Sequence, residues 1–174
     1  YAYLGIALDL DDRKRHTHYG MGVYKSTNGG QSWEATGLTF EQNDRDATLT
    51  RRVFVDPNNG QRLLAGGIFG IKTSEDGGET WVTVNEEVIR DNEQDPGNPN
   101  ILYAATATIR NLEQGQSAIW KSTDFGRSWT SLNTQMPENN TIYRTELAIS
   151  RSNPNYIYAL TVNNRGGLYG LYQS

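Results

Sequence analysis

Short apolar or alternating runs, each closed by a cluster of turn-forming residues, recur along this chain. Gly22-Val23-Tyr24-Lys25, Gly70-Ile71-Lys72-Thr73 and Ala118-Ile119-Trp120-Lys121 read as one kind of strand. A second kind has an apolar core with Ala: Leu63-Leu64-Ala65-Gly66, Leu102-Tyr103-Ala104-Ala105 and Ile157-Tyr158-Ala159-Leu160. The turn leading into it is rich in Asp, Asn and Pro, as in Asp56-Pro57-Asn58-Asn59 and Ser152-Asn153-Pro154-Asn155. Such clusters end strands and set tight turns. Ahead of that turn lies a third strand, Arg51–Val55 in one unit and Tyr143–Ile149 in another. Val82-Thr83-Val84 and Thr130-Ser131-Leu132 supply a fourth. The pattern predicts an all-β chain built from a repeated four-stranded unit. One unit departs from it: Val88–Gln94 is mostly polar where a first strand is due, so that strand is expected to be shorter, shifted or interrupted.

The last two strands of each unit are joined by one stretch written three times. Ser26-Thr27-Asn28-Gly29-Gly30-Gln31-Ser32-Trp33 returns as Ser74-Glu75-Asp76-Gly77-Gly78-Glu79-Thr80-Trp81 and again as Ser122-Thr123-Asp124-Phe125-Gly126-Arg127-Ser128-Trp129. The spacing is equal both times, about 48 residues, which marks an array of supersecondary units. Gly30, Gly78 and Gly126 supply a backbone position with positive φ. Asn28, Asp76 and Asp124 can fold a side-chain oxygen back onto the N–H groups of the loop. Trp33, Trp81 and Trp129 can then plug the turn onto the apolar layer beneath. No second carboxylate recurs at ligand spacing, so Ser26, Ser74, Ser122 and their partners read as scaffold and not as a calcium loop.

These octapeptides resemble Asp-boxes, or BNR repeats, the hairpins of β-propeller blades in sialidases, xyloglucan-active endoglucanases, sortilin-type receptor domains and photosystem assembly factors. The resemblance implies four-stranded antiparallel blades, lettered A to D from axis to rim, with the box between C and D. About three and a half blades are expected: a partial first blade over residues 1–36 (strands B–D), blades over 37–84 and 85–132, and a partial fourth over 133–174 (strands A–C). A propeller closes with roughly four to eight blades, each covering its neighbour. The chain is therefore expected to be a fragment of a larger propeller, completed by the rest of its own polypeptide or by a partner chain.

Composition narrows the function. Eighteen Gly, ten Tyr and four Trp suit a β protein with many turns. A net charge of −4 argues against a nucleic-acid partner. No apolar run approaches the roughly 18 residues of a spanning helix. Zero Cys removes any disulfide framework. Gly29-Gly30 and Gly77-Gly78 open no helix and so cradle no phosphate, and no cofactor is expected.

By the resemblance, ligands meet the face opposite the boxes, where the B–C and D–A loops reach the channel. The loops so chosen are Asp9–Tyr19, Thr108–Gln116, Thr39–Thr48, Asn85–Asn92 and Asn133–Asn140. The first concentrates Asp9, Asp11, Asp12, Arg13, His16 and His18. His16 and His18 would share a strand face, but with no third ligand in view a charged surface is the reading taken, and no metal is expected. Arg51, Arg144 and Glu146 sit on inner strands and join the binding candidates. Two functions follow. One is a sortilin-like binding or scaffold module of an extracytoplasmic, secreted or cell-surface protein, with a peptide or protein ligand. The other is part of a glycoside hydrolase acting on polysaccharide, which needs two carboxyl groups about 5–9.5 Å apart. Asp9 is the one match to the endoglucanase pattern. Paired carboxylates in the channel would favour binding; unpaired ones facing each other would favour hydrolysis.

Overall fold

A computed structural model describes residues 2–10, 17–40, 49–106, 118–132, 142–163 and 165–174. Among these residues there is no helix. Fourteen strands form four antiparallel sheets. The first sheet holds β1 (Ala2–Leu10), β2 (Thr17–Ser26) and β3 (Glu34–Thr39). The second holds β4 (Thr50–Asp56), β5 (Asn59–Gly67), β6 (Gly70–Ser74) and β7 (Val82–Asn85). The third holds β8 (Ile89–Gln94), β9 (Leu102–Thr106), β10 (Ile119–Ser122) and β11 (Thr130–Ser131). The fourth holds β12 (Ile142–Ile149), β13 (Ile157–Asn163) and β14 (Leu168–Gln173). In every sheet the strands lie side by side in chain order.

Successive sheets stack face to face. β4 packs on β1 and β2, β8 on β4 and β5, and β12 on β8 and β9. An apolar layer fills each gap. Val23, Leu38 and Ala65 lie between the first two sheets, with Trp81 against them. Leu64, Ile71, Ile89, Leu102, Ala104 and Phe125 lie between the second and third, and Tyr103, Ala105, Leu147 and Ala159 between the third and fourth. Each buried Val, Leu, Ile or Phe among them stabilises by about 1.5–3 kcal/mol when taken out of water, the alanines by less. Equivalent positions differ in burial according to what stands above them: Tyr103 is 6% exposed beneath the fourth sheet, whereas Tyr158, at the same register, is 37% exposed. Four-stranded antiparallel sheets stacked through their first strands are β-propeller blades, and the described chain is part of one.

The three tryptophan turns share one hydrogen-bond scheme. The hydroxyl oxygen of Ser26, Ser74 or Ser122 accepts the N–H of Gly30, Gly78 or Gly126 at 2.8–2.9 Å. The same hydroxyl donates to Oδ1 of Asn28, Asp76 or Asp124. That oxygen accepts the N–H of Ser32, Thr80 or Ser128. The indole N–H of Trp33, Trp81 or Trp129 donates to the carbonyl of Gly30, Gly78 or Gly126. Later turns also grip the preceding sheet: Gly37 N–H donates to Gly78 O at 2.7 Å, and Arg62 donates to Asp124 O at 3.3 Å. In the third turn Phe125 stands in the left-handed region (φ 59°) and is 2% exposed, its ring 4.8 Å from the Arg62 guanidinium carbon.

Several boundaries differ from expectation. Asp9 belongs to β1 and His18 to β2, paired with each other, because the hairpin ladder runs on past the apolar residues. Thr39 closes β3 and Asn85 closes β7. The polar run Val88–Gln94 contains β8, six residues against seven in β4 and eight in β12, so this strand is shorter as expected. It pairs with β9 from Ile89 to Gln94 with one irregularity between Ile89 and Asp91, and takes in residues 89–92, expected in a loop. It holds because its two carboxylates find partners in the neighbouring sheets, Asp91 and Glu93 with Arg52 and Asp91 also with the Leu147 N–H.

Candidate functional site

β4, β8 and β12 are the first strands of three successive sheets, and each begins with a break in register. The breaks fall between Thr50 and Arg52, between Ile89 and Asp91, and between Ile142 and Arg144. A bulge leaves a residue unpaired and re-aims it. Here the residues at or beside the bulges are Arg51, Arg90 and Arg144. Strand order puts these bulges at the end of the sheets opposite the tryptophan turns, since those turns follow the third strand and run with the first.

The three arginines act on one another electrostatically. Burial and the charges of Arg90 and Arg144 lower the Arg51 pKa, with Glu146 and Asp91 opposing. A guanidinium so perturbed is still charged at neutral pH. Among the described residues Arg51 makes no ion pair, and its side chain is exposed. It presents cationic hydrogen-bond donors suited to a carboxylate or another anion.

The carboxylates of the same face are engaged. Arg52 places Nη2 2.8 Å from Glu93 Oε1 and 3.5 Å from Asp91 Oδ1. The Leu147 N–H donates to Asp91 Oδ2 at 2.8 Å, so one carboxyl group joins the second, third and fourth sheets. Burial raises the pKa of Asp91 against the pull of the Leu147 N–H and Arg52. It raises Glu93 likewise, opposed first by Arg52. Glu146 is paired with Arg144. Among the described residues no group of His, Asp or Glu could hold a metal ion.

The structure thus brings Arg51, Arg144 and Glu146 onto one face. Asp9 and His18 are placed only as paired backbone, and Asp11, Asp12, Arg13 and His16 lie outside the described residues. Arg90 and Asp91 fell within the chosen loop Asn85–Asn92 without being singled out, and Glu93 lay outside it. Their signal was positional: Arg90-Asp91 occupies in β8 the register of Arg51-Arg52 in β4.

Stacked antiparallel blades with charged side chains on their first strands define part of a repeat-built β-propeller. Within that class, the profile of the family described as photosynthesis system II assembly factor YCF48 matches residues 6–174, and the chain belongs to that family. Solved structures are similar too. An ancestral GH74 enzyme is 25% identical with a TM-score of 0.69, over 90% of this chain and 21% of that one. The GH74 enzyme of Niastella koreensis is 23% identical with a TM-score of 0.64, over 98% and 25%. A chain described as YCF48 bound to D1 peptide is 15% identical with a TM-score of 0.37, over 90% and 62%. The chain spans only a fifth to a quarter of the length of the two GH74 proteins. No curated protein matches it.

Proposed function

We propose that this chain is part of an Asp-box propeller that binds a protein partner and holds it during assembly of a larger complex. The observation that carries the reading is the state of the inner face. Each described carboxylate on the first strands β4, β8 and β12 is committed to an arginine, Asp91 also to a backbone N–H, while Arg51 remains exposed beside Arg90 and Arg144. Such a face offers no free pair for glycosidic acid–base chemistry and does offer charge for an acidic peptide segment. The family description as an assembly factor supports the same reading. The partner is recognised as an extended segment with carboxylates, in the manner of sortilin-like tunnels. The resemblance to propellers of exported proteins supports an extracytoplasmic location, which cell fractionation would test.

The test is a set of short peptides differing only in acidic, neutral or basic side chains. The acidic set binds best, binding weakens with salt, and Arg51→Ala with Arg144→Ala weakens it about tenfold or more. Equal binding of all three sets would refute the reading.

A second reading, part of a glycoside hydrolase, is favoured by the 25% identity to an ancestral GH74 enzyme. It requires Asp9 and a second carboxylate to face a sugar. Release of reducing ends from polysaccharide, lost in Asp9→Asn, would establish it.

A further inference from the structure

Of the four tryptophans, three give their indole N–H to a backbone carbonyl within the turn. Trp120 does not. It stands on β10, packed against the apolar layer between the second and third sheets, and its Nε1 is buried with no hydrogen-bond partner among the described residues. A buried donor left without an acceptor is costly.

A cavity of about 390 Å³ opens beside it, lined by Thr83, Val84, Asn85, Glu86, Glu87 and Trp120. The Asn85 side chain accepts the Glu87 N–H at 2.8 Å and fixes the turn that carries both glutamates. Lys72 donates to the Thr83 hydroxyl at 2.5 Å, and no ion pair joins it to either glutamate among the described residues. One wall is aromatic and apolar, the rim carries two exposed carboxylates, and a buried N–H lacks an acceptor. An aromatic ring with nearby carboxylates is the environment that holds ammonium and guanidinium groups. A neutral sugar could lie on the ring but would leave both charges unanswered.

We propose that this cavity binds a lysine or arginine residue of a partner polypeptide. The cation lies between Glu86, Glu87 and the Trp120 ring. The volume lies within the range of small-ligand sites and admits one long side chain with its flanking peptide. The residues lining the cavity include neither Arg51 nor Arg144, so the inference stands without the reading given to the inner face.

Nitrogen-15 correlation spectra of the protein show one indole signal per tryptophan, and Trp120→Phe assigns the relevant one by its loss. Titration with N-acetyl-argininamide to tens of millimolar is expected to move that signal saturably, with the other three unchanged. N-acetyl-glutaminamide leaves it in place. Glu86→Gln with Glu87→Gln, at exposed positions that do not threaten folding, raises the apparent Kd about three- to tenfold. A motionless Trp120 signal would overturn the proposal. So would equal response to the neutral amide, unchanged affinity in the double variant, or movement with cellotriose alone, which would assign the cavity to a sugar.

Discussion

Asn92→Leu exchanges two buried polar atoms for two methyl groups of nearly the same shape. Asn92 is fully buried in β8, and neither its Oδ1 nor its Nδ2 has a partner among the described residues. At this register β4 carries Val53 and β12 carries Leu147, each opposite an alanine as Asn92 is opposite Ala104. The amide lies over Gly66, its atoms 2.5 and 2.7 Å from where a Cβ on that glycine would stand. Each unsatisfied buried group costs about 1–3 kcal/mol, and isosteric replacement removes both costs without leaving a void. A net gain of about 2–4 kcal/mol is therefore expected. At roughly 2–4 °C per kcal/mol for a chain of this size, Tm should rise by about 4–16 °C. Thermal unfolding followed by near-ultraviolet circular dichroism reads this directly, with Asn92→Ala as the control that opens a cavity and gains less. A less stable Asn92→Leu would refute the reasoning, because it would mean that the amide is satisfied where it sits.

Gly66→Ala should destabilise the protein through its clash with Asn92, and Asn92→Ala in the same chain should restore much of the loss, a non-additivity that urea titration would reveal. Phe125→Gly relieves a left-handed backbone worth about 1–2 kcal/mol but forfeits an aromatic side chain worth about 3–5 kcal/mol, so a net loss of roughly 1–4 kcal/mol is expected from urea midpoints. Hydrogen bonds from the Thr80 hydroxyl and N–H and from Ser74 lower the Asp76 pKa from 3.8 to about 2. Its contribution is therefore present above 3.8 and lost as pH falls toward 2, and Asp76→Asn, which copies Asn28 of the first turn, should flatten stability over that window. Arg52→Ala removes the cation that opposes the burial-raised pKa values of Asp91 and Glu93. Because raised carboxyl pKa values favour the folded state as pH falls, the loss should be about 1–3 kcal/mol at pH 7, discounted for the half-exposed arginine, and smaller at pH 5.

Local chemistry sets the tryptophan turns. Ser, Asx, Gly and Trp at fixed offsets close their own hydrogen bonds within eight residues, so one reading of the chain is enough to find three of them. The strands around them were legible for the same reason: their apolar positions repeat with the turns, and the period implies blades. What stacking alone decided is the third blade's first strand. Nothing local makes Asp91-Asn92-Glu93 a strand. It becomes one because Arg52 on one side and the Leu147 N–H on the other answer its charges, and both come from chain segments tens of residues away. The inner-face arginines belong to the same category. A bulge is a mismatch between two strands, and a single strand's sequence cannot state which residue the mismatch will turn outward.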